Sequence, residues 1–387
     1  MHNVETLGQV FTPPEIVRQM LLLRRNSGRV LEPSCGDGTF FYSIRKADAA
    51  DTCVGIEIDE KHCPKEALNI DFFDYPPEEK FDTIIGNPPY VRFQDISQPT
   101  KDKLHSQLLD FRSNLYLFFI EKCIKHLNEK GELIFITPRD FLKATSSIRL
   151  NQFIWESGTI TDIIDLGDRQ IFDGFTPNCI IFRFEKGNLS HRTNDGKNFS
   201  CRMGQLFFTD EVYDIPFSEI FFVKVGAVSG LDRIFANEEF GDTDFVCSST
   251  CKTGLTRRMI YQTPNAFLLA HKTELLARKI RNFNESNWFE WGRRHYVSSE
   301  SRIYVNTKTR RTQPFFLHPC KNYDGSVLAV FPRRQDGDLR TLCTLLNEVK
   351  WADLGFVCDG RFLFSQRSLE TSLLPPSFSE YIKKRRN

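Results

Sequence analysis

Leu31-Glu32-Pro33-Ser34-Cys35-Gly36-Asp37-Gly38-Thr39-Phe40 is the stretch on which the reading of this chain turns. The β-branched run Arg29 to Glu32 leads into it, and a helical pattern follows. Glycines in such a strand-to-helix turn let a ligand approach the backbone, and the helix start favours a negative group. Nineteen residues beyond Gly38, Glu57 closes the next strand candidate, Thr52 to Ile58. An acidic side chain there accepts both hydroxyls of a ribose, so the pair of signals points to a nucleotide-like cofactor.

Further strand candidates recur at Phe81 to Ile85, Glu132 to Thr137, Ile160 to Leu166 and Cys179 to Phe184. Helical patterns alternate with the earlier ones, the signature of a parallel sheet wrapped by helices. Leu115 to Leu127 carries apolar residues at helical spacing, with Gly131 just past it as the expected stop. No helix separates the last two strands, which predicts antiparallel neighbours at one sheet edge. Lys186 to Asn198 is polar and reads as a linker.

Phe40 and Phe41 stand where a dinucleotide fold wants its third glycine, so a pyrophosphate is poorly served. S-adenosylmethionine carries ribose and adenine but no phosphate, and its carboxylate and ammonium suit the helix start and Glu32. Asp71-Phe72 follows the next strand, where a carboxylate accepts from the adenine amino group and an aromatic covers the ring. Directly after the strand Phe81 to Ile85 comes Gly86-Asn87-Pro88-Pro89-Tyr90. The prolines fix a rigid loop that presents the Asn87 side-chain oxygen beside a backbone carbonyl. Two acceptors side by side suit a planar amino group whose lone pair must leave conjugation with its ring before it attacks a methyl sulfonium. Tyr90 is placed to lie flat against that ring.

The 387 residues suffice for two domains of ordinary size. No apolar run approaches the roughly 20 residues of a membrane span, and the amino terminus lacks a signal-peptide pattern, so the expected location is the cytoplasm. The 11 cysteines form no CxxC pair; Cys247 and Cys251 read as ordinary thiols, and no metal is expected. A net charge of +1 hides an asymmetry: residues 1 to 187 carry 22 basic and 28 acidic side chains, residues 188 to 387 carry 29 and 22. Only the second half suits a polyanion. There, Lys252 to Arg311 holds 13 basic against 4 acidic residues, interleaved with Tyr261, Phe267, Trp288, Phe289, Trp291, Tyr296 and Tyr304. Arg293, Arg294, Lys308, Arg310 and Arg311 are the candidate phosphate or base contacts. The terminal run Lys383-Lys384-Arg385-Arg386 reads as a solvated tail.

In the order and spacing of these segments the chain resembles the gamma group of adenine-N6 DNA methyltransferases, the TaqI-like enzymes. Gly8-Gln9-Val10-Phe11-Thr12-Pro13-Pro14-Glu15, Leu31 to Phe40, Gly55-Ile56-Glu57-Ile58-Asp59 and Asn87 to Tyr90 carry the resemblance, over roughly residues 8 to 185. It implies a class I Rossmann-like methyltransferase sheet, mostly parallel with an antiparallel last strand, over residues 1 to 187. An α+β target-recognition domain is implied for 188 to 387. Carried over, it assigns Thr12 and Glu32 to the methionine end of the cofactor, Glu57 to the ribose, and Asp71 with Phe72 to the adenine. Pro33, Gly36, Gly38, Ile58 and Asn87 complete the implied cofactor set. Asn87, Pro88, Pro89 and Tyr90 are assigned to the target base, with Phe172 as a second platform and Phe175 its competitor. Thr12-Pro13-Pro14-Glu15 also reads as a helix capping box, and Phe119 is set aside as core. The implied reaction methylates a flipped adenine in double-stranded DNA and leaves S-adenosylhomocysteine. The expected protein is a monomer, either the modification enzyme of a restriction-modification system with a separately encoded restriction endonuclease or an orphan methylase without one. Two alternatives stand beside it: an RNA adenine-N6 or protein-glutamine methyltransferase, and an inert DNA-binding module on the same fold.

Overall fold

In the computed structural model, residues 11–47, 53–167, 178–334, 336–358 and 360–382 are described. Seven strands form one sheet: β1 (Val30–Glu32), β2 (Cys53–Glu57), β3 (Leu68–Asn69), β4 (Phe81–Gly86), β5 (Leu127–Pro138), β6 (Gly158–Asp165) and β7 (Cys179–Lys186). Their order is β3-β2-β1-β4-β5-β7-β6. All run parallel except β7, which lies antiparallel between β5 and β6. This is the expected class I methyltransferase sheet. The apolar runs pack both faces at period two. Ile84, Leu133, Phe135 and Phe182 turn to one core, whereas Ile85, Ile134, Ile136 and Ile181 turn to the other. Helices α1 (Pro14–Leu21) and α2 (Thr39–Ala47) supply Met20, Phe41 and Ile44 to the second core. The short α3 (Gln98–Lys101) precedes α4 (Leu115–His126), which supplies Ile120 and Ile124 to the first, and α5 (Ile148–Ser157), which adds Leu150 and Ile154.

The chain winds outward from β1 to β3, then returns to β4 on the other side of β1. The crevice beyond the carboxyl ends of β1 and β4 is therefore the place for a ligand. A buried knot pins the chain after α1 to the sheet: Glu132 accepts from the backbone N–H of Arg25 (3.0 Å) and Asn26 (2.8 Å), from Thr83 Oγ1 (2.9 Å) and from Arg183 Nε (2.6 Å).

Two expectations are corrected. Gly131 does not close α4, because Leu127 already turns extended and starts β5, with Gly131 inside that strand. A Cβ at Gly131 would lie 2.8 Å from Asn128 O, so backbone crowding explains the glycine. Nor is Lys186 to Asn198 a boundary between domains. The hairpin β8 (Asn198–Arg202) and β9 (Gln205–Thr209) packs Phe199, Leu206 and Phe208 into the first core, and the first compact unit runs from Met1 to Glu211.

The second unit, Val212–Asn387, is α+β. Its antiparallel sheet has the order Phe221–Val225, Val327–Pro332, Ile303–Asn306, Phe315–Phe316, and a separate ribbon joins Lys308–Thr309, Arg361–Leu363 and Val357–Cys358. Helix Leu339–Glu348 is capped by Asp338, which accepts from the N–H of Arg340 and Thr341. Among the described residues no helix is long and apolar enough to cross a membrane, and no cluster of His, Cys, Asp or Glu is placed to hold a metal.

Candidate cofactor and target-amine site

The turn after β1 is shaped by its neighbour strand. Cys35 N–H donates to Ile56 O (2.8 Å) and Gly38 N–H closes back on Cys35 O (2.7 Å), with Gly36 and Gly38 at φ +49° and +83°. Such left-handed backbone favours glycine. Glu57, at the end of β2, accepts from Gly36 N–H on Oε2 (2.7 Å) and from Asp59 N–H on Oε1 (2.9 Å). Each oxygen keeps a further acceptor site for a diol. The start of α2 is already served by a carboxylate of the chain itself: Asp37 Oδ1 accepts from Thr39 N–H (3.1 Å). That departs from the expectation of an anion-seeking helix end. Gly38 holds the turn but does not line the cleft, since its missing Cβ makes room for Tyr42 and Pro64.

Glu32 is 1% exposed and its Oε2 has no hydrogen-bond partner. Burial, with Asp37 nearby, holds its carboxyl well above the usual carboxylate range. A buried acceptor beside the cleft turn suits an ammonium group that would supply the missing partner.

Farther along, Asp71 caps a short turn by accepting from Phe73 N–H (2.9 Å). Phe72 lies 5.0 Å, centroid to centroid, from Phe119. Ile58 and Ile70 remain 47% and 36% exposed at the same cleft, an apolar mouth fitted to a flat ring.

On the opposite wall, Asn87 Nδ2 donates to Thr12 Oγ1 (3.1 Å), which commits the amide's nitrogen end and sets the plane of its oxygen. Ser34 Oγ donates to Asn87 O (3.2 Å), tying the glycine turn to the loop after β4. Thr12 therefore serves the loop rather than a capping box: Pro13 is the N-cap of α1, with no side-chain cap bond. Tyr90 OH donates to Ile136 O (2.9 Å), and its ring stands edge-on to Tyr116 at 5.9 Å. Burial pushes its phenol well up, so it acts as a neutral donor.

These groups enclose a cleft of about 790 Å³, counted to its open mouth. Of the expected residues, Pro33, Gly36, Glu57, Ile58, Asp71, Phe72, Asn87 and Pro89 line it, whereas Thr12, Glu32, Pro88 and Tyr90 stand behind or beside its walls. Phe172 and Phe175 lie outside the described residues, as do Gly8 to Val10 and Lys383 to Arg386. Residues missed by the sequence reading also line it: Phe11, Ser34, Ile70, Phe73, Val91, Ile96, Ser97, Thr100 and Leu115, together with Phe119, which was set aside as core. Phe11 lies within a recognised segment, and Ser97-x-x-Thr100 has the spacing of a cap; neither carries a sequence signal for a ligand.

In the second unit part of the basic cluster is paired with carboxylates and part is spent on backbone carbonyls. Arg257 pairs with Asp324 and Asp232, Arg258 with Asp244, Lys272 with Glu285, and Arg281 with Glu290. Arg278 and Arg302 are buried and donate to backbone carbonyls. Of the candidate contacts, Arg293 spends Nε and Nη2 on Gly226 O (3.1 and 3.0 Å), and Arg294 reaches Gln262 Oε1 (3.2 Å) and Glu290. Lys308, Arg310 and Arg311 are exposed and make no ion pair among the described residues. The interleaved aromatics are mostly core: Trp288, Trp291 and Tyr304 are buried, and Tyr296 is 43% exposed.

Residues 42–172 match the family model described as Eco57I restriction-modification methylase. The Type II methyltransferase M.TthHB8I of Thermus thermophilus is 34% identical over 215 residues, covering 50% of this chain and 50% of that protein. The Type II methyltransferase M.HincII of Haemophilus influenzae is 32% identical over 190 residues, covering 47% of this chain and 38% of that protein. The chain thus spans about half the length, or less, of these curated relatives. A solved structure of the Type IIL restriction-modification enzyme MmeI in complex with DNA overlays with a TM-score of 0.48 at 12% identity, covering 91% of this chain and 63% of that one.

Proposed function

We propose that this chain, whose residues 42–172 match the Eco57I restriction-modification methylase model, transfers a methyl group from S-adenosylmethionine to N6 of an adenine turned out of duplex DNA. The observation that carries this reading is the Asn87 amide, held by Thr12 at the carboxyl end of β4 across one cleft from Glu57. When bound, S-adenosylmethionine supplies a sulfonium methyl group: a nitrogen–carbon bond forms, the sulfur–carbon bond breaks with its pair kept by sulfur, and one amine proton leaves to water. Glu32 meets the donor's ammonium, Glu57 its ribose, and Asp71 with Phe72 its adenine. Asn87 Oδ1 and the Pro88 carbonyl accept from the target amine. That draws the nitrogen toward a pyramidal geometry and makes its lone pair available, so no general base need act first. Tyr90, tethered through its hydroxyl to β5, offers a fixed ring against which the extruded base stacks.

Any planar amine fits such a loop, including an RNA adenine or a glutamine amide. The uncompensated Lys308, Arg310 and Arg311 in a second unit of ordinary domain size favour a nucleic acid over a protein as its bearer, and the likeness to Type II methyltransferases favours DNA over RNA. Asn87→Ala tests the assignment: methyl transfer to DNA should fall on the order of 10² to 10³-fold, far more than cofactor binding weakens. A variant that turns over like the wild type removes Asn87 from the chemistry.

A further inference from the structure

Asp71 is not left to position itself. Its Oδ1 accepts from Phe73 N–H (2.9 Å), and its Oδ2 accepts from Thr100 Oγ1 (3.1 Å) and from Lys103 Nζ (3.4 Å). Thr100 Oγ1 in turn accepts from Ser97 Oγ (3.1 Å). A hydroxyl has one proton to give, so a donor entering from Ser97 commits the Thr100 proton to Asp71. The three side chains form a directed relay, Ser97 to Thr100 to Asp71, and all three line the cleft. Thr100 is 7% exposed, so its bond to Asp71 forms where water competes poorly, while Ser97 feeds it from the exposed side.

The chemical result is a carboxylate with one orientation and only acceptor capacity left toward the cleft. An exocyclic amine donates to such a group, whereas a carbonyl at the same ring position meets it lone pair to lone pair. We infer that Thr100, primed by Ser97, is the specificity-determining residue that makes this cleft prefer a 6-amino over a 6-oxo purine nucleoside. This rests on the cofactor reading above and adds to it two residues, outside the recognised segments, that act through Asp71.

The test uses the full chain and calorimetric binding of two thioether probes, S-adenosylhomocysteine and S-inosylhomocysteine, which differ by amine against carbonyl. Wild type should prefer the amino probe by tenfold or more. Thr100→Val keeps the bulk and removes the donor; it should weaken the amino probe about tenfold, the scale of one hydrogen bond to a charged group. The oxo probe should change little, so the preference collapses, and Thr100→Ser should restore it. If Thr100→Val binds both probes as wild type does, or loses both equally, or if Thr100→Ser rescues nothing, the relay is only a wall and the inference fails. Should Thr100→Val not fold, Ser97→Ala decides: a several-fold loss confined to the amino probe supports the relay, and an unchanged ratio overturns it. A wild-type chain that binds neither probe overturns the cofactor reading itself, a result distinct from the failure of the relay.

Discussion

Glu57→Gln separates what the carboxylate does for the fold from what it does for a ligand. The wild-type side chain serves two turn amides on different oxygens, Gly36 N–H at 2.7 Å and Asp59 N–H at 2.9 Å, in a residue only 5% exposed. Glutamine keeps one acceptor and turns an NH₂ group toward the other amide, leaving one buried donor unmet at a cost of about 1–3 kcal/mol. For a unit the size of Met1–Glu211, each kcal/mol lowers the melting midpoint by roughly 2–4 °C, so a fall of roughly 2–12 °C is expected. Independently, two hydroxyls lose a charged acceptor, worth about 1.5–3 kcal/mol, or roughly 10- to 150-fold in Kd. Calorimetric titration with S-adenosylhomocysteine, below the variant's own midpoint, reads the second effect free of the first. A lowered midpoint with unchanged affinity would refute the ribose assignment and leave Glu57 as a tie between turns.

Glu32→Gln should act with the opposite sign on stability. Because the wild-type carboxyl is held above its ordinary pKa, its ionisation costs stability as pH rises past about 4.3 toward the folded-state value. The variant should melt higher than wild type at neutral pH and bind S-adenosylmethionine more weakly; superimposable melting curves across pH 4 to 8 would count against it. In the second unit, burial first and Arg302 second push His295 down to about 4, so it folds neutral. Its contribution is complete above about pH 6.5 and is lost as pH falls toward 4, by about 3 kcal/mol. His295→Phe should flatten that loss in circular-dichroism melts, and an equally steep acid limb in the variant would show that other groups carry it. Alanine at Lys308, Arg310 or Arg311 should each reduce the logarithmic salt slope of DNA binding by about 0.9. Alanine at Arg293, which bonds Gly226 O, should instead lower the melting midpoint and leave the slope. Reversal of that pattern moves the DNA surface elsewhere.

The sheet was legible because its pattern is local: a run such as Thr83-Ile84-Ile85 must bury both faces, and the functional side chains stand at strand ends where their spacing shows. Gly131 misled because a glycine demanded by crowding inside a strand looks the same as one that ends a helix. Thr12 was read both as a cap and as a site residue, and only its bond to Asn87, 75 residues away, decides between them. Charge compensation is equally non-local. The basic run loses Arg257 to Asp324, 67 residues on, so counting cations along the sequence overstated the surface available to DNA. The relay through Ser97 and Thr100 left no mark, since two hydroxyl residues three apart at a helix start are an ordinary cap in most chains.

Adenine-N6 methylation is tested most directly by incubating the full chain with unmodified bacterial genomic DNA and S-adenosylmethionine bearing a trideuterated methyl group, digesting the DNA to nucleosides, and locating the label by mass spectrometry. Adenine-N6 transfer to DNA predicts trideuterated N6-methyldeoxyadenosine with wild type and its near absence with Asn87→Ala. Label on a cytosine instead, or transfer to RNA or protein with none to DNA, would contradict it.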